Sequence, residues 1–160
     1  MAAKLTADMK RVVAEQRLAF VATVCPDGTP NLSPKGTITV WDDEHLVFAD
    51  IHSPGTIANL KKNPAVEINV VDPFVRKGYR FKGTGKVIVD GQRFEEIMNF
   101  YRGRWTDTAR SKAEARIRGF VLVKVEEALP LISPAYDDAS SDEQSIRKNW
   151  ISHFTKLNER

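Results

Sequence analysis

The 160-residue sequence predicts a mainly β fold with flanking helices, in which about six strands of hairpin order curl into an antiparallel barrel. Two observations carry that prediction. Short apolar or alternating runs recur between proline-, glycine- and aspartate-containing turns through the middle of the chain. Only one short helix then separates the third strand from the fourth, whereas a doubly wound sheet needs a helix in nearly every connection. At this length one domain over residues 1–160 is expected.

The elements follow in order. Met9, Val12 and Val13 recur at i, i+3 and i+4 within Leu5–Arg17, the stripe of an opening helix laid on a core. Ala19–Val24 is a compact apolar strand closed by the turn Pro26-Asp27-Gly28, and Pro30–Trp41 resumes extended structure to make a first hairpin. After the polar turn Asp42-Asp43-Glu44, His45–Asp50 forms a third strand. Ser53-Pro54-Gly55-Thr56 signals a helix start, with serine as cap and proline preorganised for the first turn, and Asn63-Pro64 ends that helix near Lys62. Ala65–Val71 is the next strand, with Val66, Ile68 and Val70 on one face. In Tyr79–Asp90 the residues Tyr79, Phe81, Val87 and Val89 face one way and Arg80, Lys82, Thr84 and Lys86 the other, with a bend or bulge expected at Gly83 and Gly85. Phe94, Ile97, Met98, Tyr101 and Trp105 stripe a helix over Gln92–Trp105, and Phe120–Val125 is the last central strand. Ser133–Asp142 is a loop, and Ile146, Trp150, Phe154 and Leu157 give a helix over about 143–157 a face that docks on this subunit or a partner.

Composition narrows the function classes. No apolar run approaches the roughly 20 residues of a membrane span, and the charged N-terminus lacks the apolar core of a secretory signal, so a cytoplasmic protein is expected. The lone Cys25 excludes an internal disulfide. A net charge of +3, mixed in sign along the chain, gives no continuous basic field, so nucleic acid is not an expected partner, although Arg76–Lys82 interleaves basic and aromatic residues. His45, His52 and His153 have no metal-ligand spacing, and no metal site is expected. Tyr136, Trp105 and Trp150 are candidates to cover a bound ring, with core or interface packing the plainer role for the two tryptophans.

The stretch Asn31–Gly36, reading AsnLeuSerProLysGly, followed by Leu46–Asp50 and Ser53–Thr56, carries the chemistry. Neighbouring strands would bring Ser33 and Lys35 to Ser53 and Thr56 at a helix N-terminus, whose free N–H groups and dipole favour a phosphate. The competing reading makes Ser53 a helix cap and Lys35 a solvated strand residue.

Three segments, "FVATVCPDGTPNLSPKG", "LVFADIHSPGTIANLKKNPAVEINVVDP" and "GYRFKGTGKV", resemble the pyridoxamine 5′-phosphate oxidase-related FMN-binding split-barrel family over about Arg17–Val125. The resemblance implies a six-stranded antiparallel split β-barrel, a homodimer, and cofactor clefts lined by both subunits. It implies FMN phosphate on Ser33, Lys35, Ser53, Gly55 and Thr56, with the ring along Pro34, Lys35, Gly36 and Thr37 and along Ala49, Asp50 and Ile51. Gly55 and Thr56 stand where authentic pyridoxamine phosphate oxidases carry a basic pair, so Lys77, Arg80 or Lys82 is expected to assist the phosphate, and vitamin synthesis is not the expected role. The fold hosts several activities. The leading expectation is an FMN-dependent oxidoreductase taking electrons from a donor such as a reduced nicotinamide to a small molecule. The alternatives are a flavin-binding electron carrier without its own substrate, and a deazaflavin-dependent reductase, which Lys61, Lys62, Arg76 and Lys77 would suit.

Overall fold

A computed structural model describes residues 4–104 and 112–159. One antiparallel sheet of seven strands organises them, in the order β2-β1-β5-β6-β7-β4-β3. These are β1 (Ala19–Val24), β2 (Pro30–Lys35), β3 (Thr39–Val40), β4 (His45–Asp50), β5 (Ala65–Asp72), β6 (Lys77–Ile88) and β7 (Gly119–Ile132). The strand beyond the expected set arises because Pro30–Trp41 is not continuous: Gly36 and Thr37 form a turn that carries the chain from one edge of the curled sheet to the other. The barrel is split there, since β2 and β3 are opposite ends of the ladder.

Helices α1 (Ala7–Gln16), α2 (Pro54–Lys62), α3 (Gly91–Arg102) and α4 (Glu143–Asn158) flank the sheet. Thr6 caps α1 with a capping box, and Asp142 does the same for α4. The core inside the curl gathers Val13, Val21, Ile68, Phe81, Val121 and Val123 with Leu60 of α2. A second cluster lies on the outer face under α3, where Ile97, Met98 and Tyr101 cover Val47, Ala49, Ile88 and Phe120. Residues 46–50 of β4 are therefore buried on both faces. Trp105, assigned to the α3 stripe, lies outside the described residues.

Two expectations need correction. Val89 lies past the end of β6 and is 52% exposed, so it does not extend the inward row of Tyr79 and Phe81. The side chain of Ser53 makes no capping hydrogen bond to α2. On α4 Ile146 is buried, Trp150 is half-buried beneath the Arg76 guanidinium, 3.5 Å from its ring centre, and Phe154 meets the Phe74 ring edge-on at 5.6 Å, while Leu157 stays exposed.

Candidate functional site

Period-two alternation along β2 turns Asn31, Ser33 and Lys35 to one side, and β2 ends beside the start of α2. There Lys35 is only 4% exposed, and its Nζ donates to Ser33 Oγ and, at 2.8 Å, to Ser53 Oγ. The side chain of Ser53 is thus engaged by a lysine rather than by the helix end it was expected to cap. Its backbone N–H is held by Asp50 Oδ1 at 3.0 Å. The Lys35 ammonium also lies 5.7 Å from the centre of the Phe48 ring.

Burial pushes the Lys35 ammonium below the ordinary lysine range, and the nearby Asp50 charge only partly offsets it. A buried cation held by hydroxyl oxygens is under-neutralised, and it stands at the positive end of a helix dipole. Pro54 has no N–H, and the amides of Gly55 and Thr56 lack an intrahelical acceptor. A methyl group built on Gly55 would come no nearer than 3.8 Å to another residue, that being Asn31 Oδ1, so the space before this turn is open. Ammonium, hydroxyls and free amides form the donor set that a phosphate dianion requires. The residues present fit an FMN phosphate.

The rest of the predicted set divides. Thr37 and Ala49 are joined directly, the Ala49 N–H donating to Thr37 Oγ1 at 2.9 Å, so the two strips assigned to the ring lie side by side. Asp50 is buried and Ile51 half-buried beside them. Lys77 and Arg80 are not brought to this cluster within one chain. Pro34, Phe20, Asn69 and Arg80 are successive cross-strand partners, which puts Arg80 three strand spacings, about 14 Å, from Pro34. Lys77 Nζ lies 3.1 Å from Glu143 of α4 and 4.1 Å from the centre of the Tyr136 ring. Tyr136 itself donates to the Val75 carbonyl at 2.7 Å, well away from Lys35. His52 is exposed.

Sequence reasoning missed a polar layer behind the helix start. Asn31 Nδ2 reaches Thr23 Oγ1 at 3.2 Å and Thr56 Oγ1 at 3.4 Å, and buried Asn59 donates to the same Thr23 hydroxyl at 3.1 Å. Asn31 was findable, because it shares the alternation of Ser33 and Lys35. Also missed was the Tyr101 hydroxyl, which donates to the Thr37 carbonyl at 2.6 Å and fixes the turn after Lys35. Burial pushes that phenol's pKa far up, so it remains a donor. Beside the turn lies an open cavity of about 330 Å³, lined by Gly36, Thr37 and Thr39 and flanked by Arg17 and Arg104.

Residues 5–129 match the family model for pyridoxamine 5′-phosphate oxidase. The chain belongs to that family. Among solved structures, HupZ of Group A Streptococcus is similar at 30% identity and a TM-score of 0.68, over 80% of this chain and 94% of that one. An F420 reductase is similar at 25% identity and a TM-score of 0.56, over 78% and 98%. An FMN-binding protein from Syntrophomonas wolfei shares the fold at 16% identity and a TM-score of 0.62, over 79% and 85%. Among the described residues no helix is long and apolar enough to cross a membrane.

Proposed function

We propose that this pyridoxamine 5′-phosphate oxidase family member binds FMN and works as a homodimeric oxidoreductase on a small molecule, with a reduced nicotinamide as a fitting electron donor. The observation that carries the reading is the buried Lys35 held by Ser33 and Ser53 at the start of α2. Bound FMN supplies the electron transfer, while the chain's residues anchor the phosphate, align the ring and control access. Lys35, Ser33, Ser53 and the amides of Gly55 and Thr56 hold the phosphate, and Thr37 with Ala49 sets the strip on which the ring lies. The cavity beside Gly36 and Thr37 leaves room for a substrate, and Tyr136 does not close it, which favours an enzyme over a sealed electron carrier.

Freshly purified protein is expected to show a flavin absorbance spectrum, to release FMN on heating, and to be bleached by a reduced nicotinamide under anaerobic conditions. A colourless protein that takes up no added FMN would refute the cofactor; bound FMN that no nicotinamide reduces would refute the donor. The similarity to an F420 reductase favours one second reading, a deazaflavin in the same site. Parallel titrations separate the two, and much tighter deazaflavin binding would replace FMN.

The homodimer rests on the outer face of β1 and β2. Phe20, Val24 and Leu32 are 46%, 36% and 64% exposed there, and Leu18 adjoins them. On the same cross-strand row the buried Asn69 Oδ1 has no hydrogen-bond partner among the described residues, and Arg80 Nε has only an ion-pair contact of 3.5 Å with Glu67 Oε1. An apolar patch with poorly satisfied polar atoms beside it suits a partner surface. Leu32→Glu is expected to convert the dimer to a monomer in size-exclusion chromatography with light scattering and to weaken FMN by about ten-fold, equivalent to 1.4 kcal/mol. A dimer of unchanged affinity would move the interface elsewhere.

A further inference from the structure

The far end of the barrel carries a groove that the flavin site does not use. β6 pairs with β5 only as far as Thr84, then continues beside β7 alone to Ile88. The Gly85 N–H turns away from β7 to the Pro64 carbonyl at 2.8 Å, and strand alternation aims the Val87 N–H to the same open side. On the outer face Lys86 stands opposite Leu122 and Thr84 opposite Lys124, which in turn pairs with His45. α3 covers the adjacent row at Ile88 and Phe120 and reaches Leu122 only partly.

The result is a groove of about 620 Å³ around the open edge of β6, lined by Val87 and the edge of the buried Leu60 from the inner side and by Leu122 from the outer face, with the exposed Lys61, Lys86 and Lys124 on its rim. Lys10, Lys77 and Lys82 each reach a carboxylate. The three rim lysines make no ion pair or hydrogen bond among the described residues. Nor does the acid beside His45 neutralise them, because Asp42 Oδ1 already accepts from the Glu44 and His45 amides and contacts the His45 ring at 2.8 Å. Lys61 and Lys62 also offset the negative end of α2, which would otherwise repel an anion.

We propose that this groove binds a small amphipathic anion. Its apolar or aromatic body packs against Val87 and Leu122 at the edge of the buried Leu60, and its carboxylate, sulfonate or phosphate meets the ammonium groups of Lys61, Lys86 and Lys124. The volume is that of an ordinary small-molecule site. Charge complementarity selects the anion, and the apolar lining distinguishes it from a bare inorganic ion. Lys61 lies about 12 Å along α2 from Ser53, so the groove is separate from the phosphate cradle.

Calorimetry on cofactor-saturated protein tests the proposal with anilinonaphthalene sulfonate and with phenylnaphthylamine, which has the same rings and no charge. The sulfonate is expected to saturate at one molecule per chain and to bind about ten-fold more tightly than the neutral probe, a difference of 1.4 kcal/mol. The triple change Lys61→Gln, Lys86→Gln, Lys124→Gln is expected to abolish that preference, the matching triple arginine variant to keep it, and Lys86→Gln alone to reduce it. Undiminished sulfonate binding by the triple glutamine variant overturns the proposal, as does wild-type binding that never saturates at one site or shows no preference for the anion.

Discussion

Lys35→Met is expected to weaken FMN by about 10- to 100-fold, leave riboflavin binding nearly unchanged, and leave the protein as stable as before or more so. The size follows from the loss of a charge-assisted hydrogen bond, about 1.5–3 kcal/mol, to a phosphate that riboflavin lacks. The stability half follows from burial. The ammonium is desolvated, and no carboxylate among the described residues lies within ion-pair distance of it, so removing it relieves a cost and methionine refills the space of the stem. A side chain kept for folding behaves in the opposite way. The measurements are paired titrations with FMN and riboflavin and a thermal melt of the unliganded protein. Equal losses for both ligands, or a clear fall in melting temperature, would make Lys35 a structural residue.

The same lysine sets a pH dependence. Its pKa is lowered in the free protein because the charged form is desolvated, and a phosphate dianion beside it favours that charged form again. FMN affinity is therefore expected to be full while Lys35 is protonated and to decline as pH rises through the lowered pKa, at lower pH than an ordinary lysine would give. In Lys35→Met that decline is expected to vanish.

How much of this was written legibly in the chain depends on the distance over which each feature is determined. The helix from Pro54 to Lys62 was readable because its start and stop are local: proline at one end, Asn63-Pro64 at the other. β1 and β4 were readable as compact runs. The role of Ser53 was not, because the cap reading weighs only neighbours in sequence, whereas the group that takes its hydroxyl, Lys35, comes from a different strand. Lys35 itself looks like any lysine in an alternating segment; its burial is produced by β2 folding against α2. The Lys61, Lys86 and Lys124 rim was invisible for the same reason, since three elements supply it. The extension of β7 to Ile132 also escaped, because Val125–Ile132 mixes acidic and apolar residues without a clean period and is held by pairing to β6 rather than by its own propensity.

The glycine at the β6 bend was legible as a bulge signal, and the structure gives it a more demanding role. Pairing shifts between Lys82, opposite Glu127, and Gly83, opposite Val125, so Glu126 is the extra residue of β7. On the other edge of β7 the Val125 N–H donates to the Glu44 carbonyl at 2.9 Å, continuing the β4–β7 ladder into the turn before β4. At Gly83 the two strands approach so closely that a Cβ would stand 1.9 Å from the Lys124 carbonyl oxygen and 2.9 Å from its carbon. Both are backbone atoms held in the central ladder, so no side-chain rotation relieves the clash. At Gly85, by contrast, the nearest atoms are side-chain methyls of Leu60 and Val121 at 3.1 and 3.2 Å, which can move by a few tenths of an ångström. Gly83→Ala is therefore expected to destabilise the fold by about 3 kcal/mol, and Gly85→Ala by about 1 kcal/mol. For a domain of this size that corresponds to a fall in melting temperature of about 6–12 °C against about 2–4 °C. Thermal melts of the two variants side by side check the order as well as the size. Equal, small shifts would mean that the β6–β7 ladder can open at the bulge without cost, and that the bulge does not pin the register of these two strands.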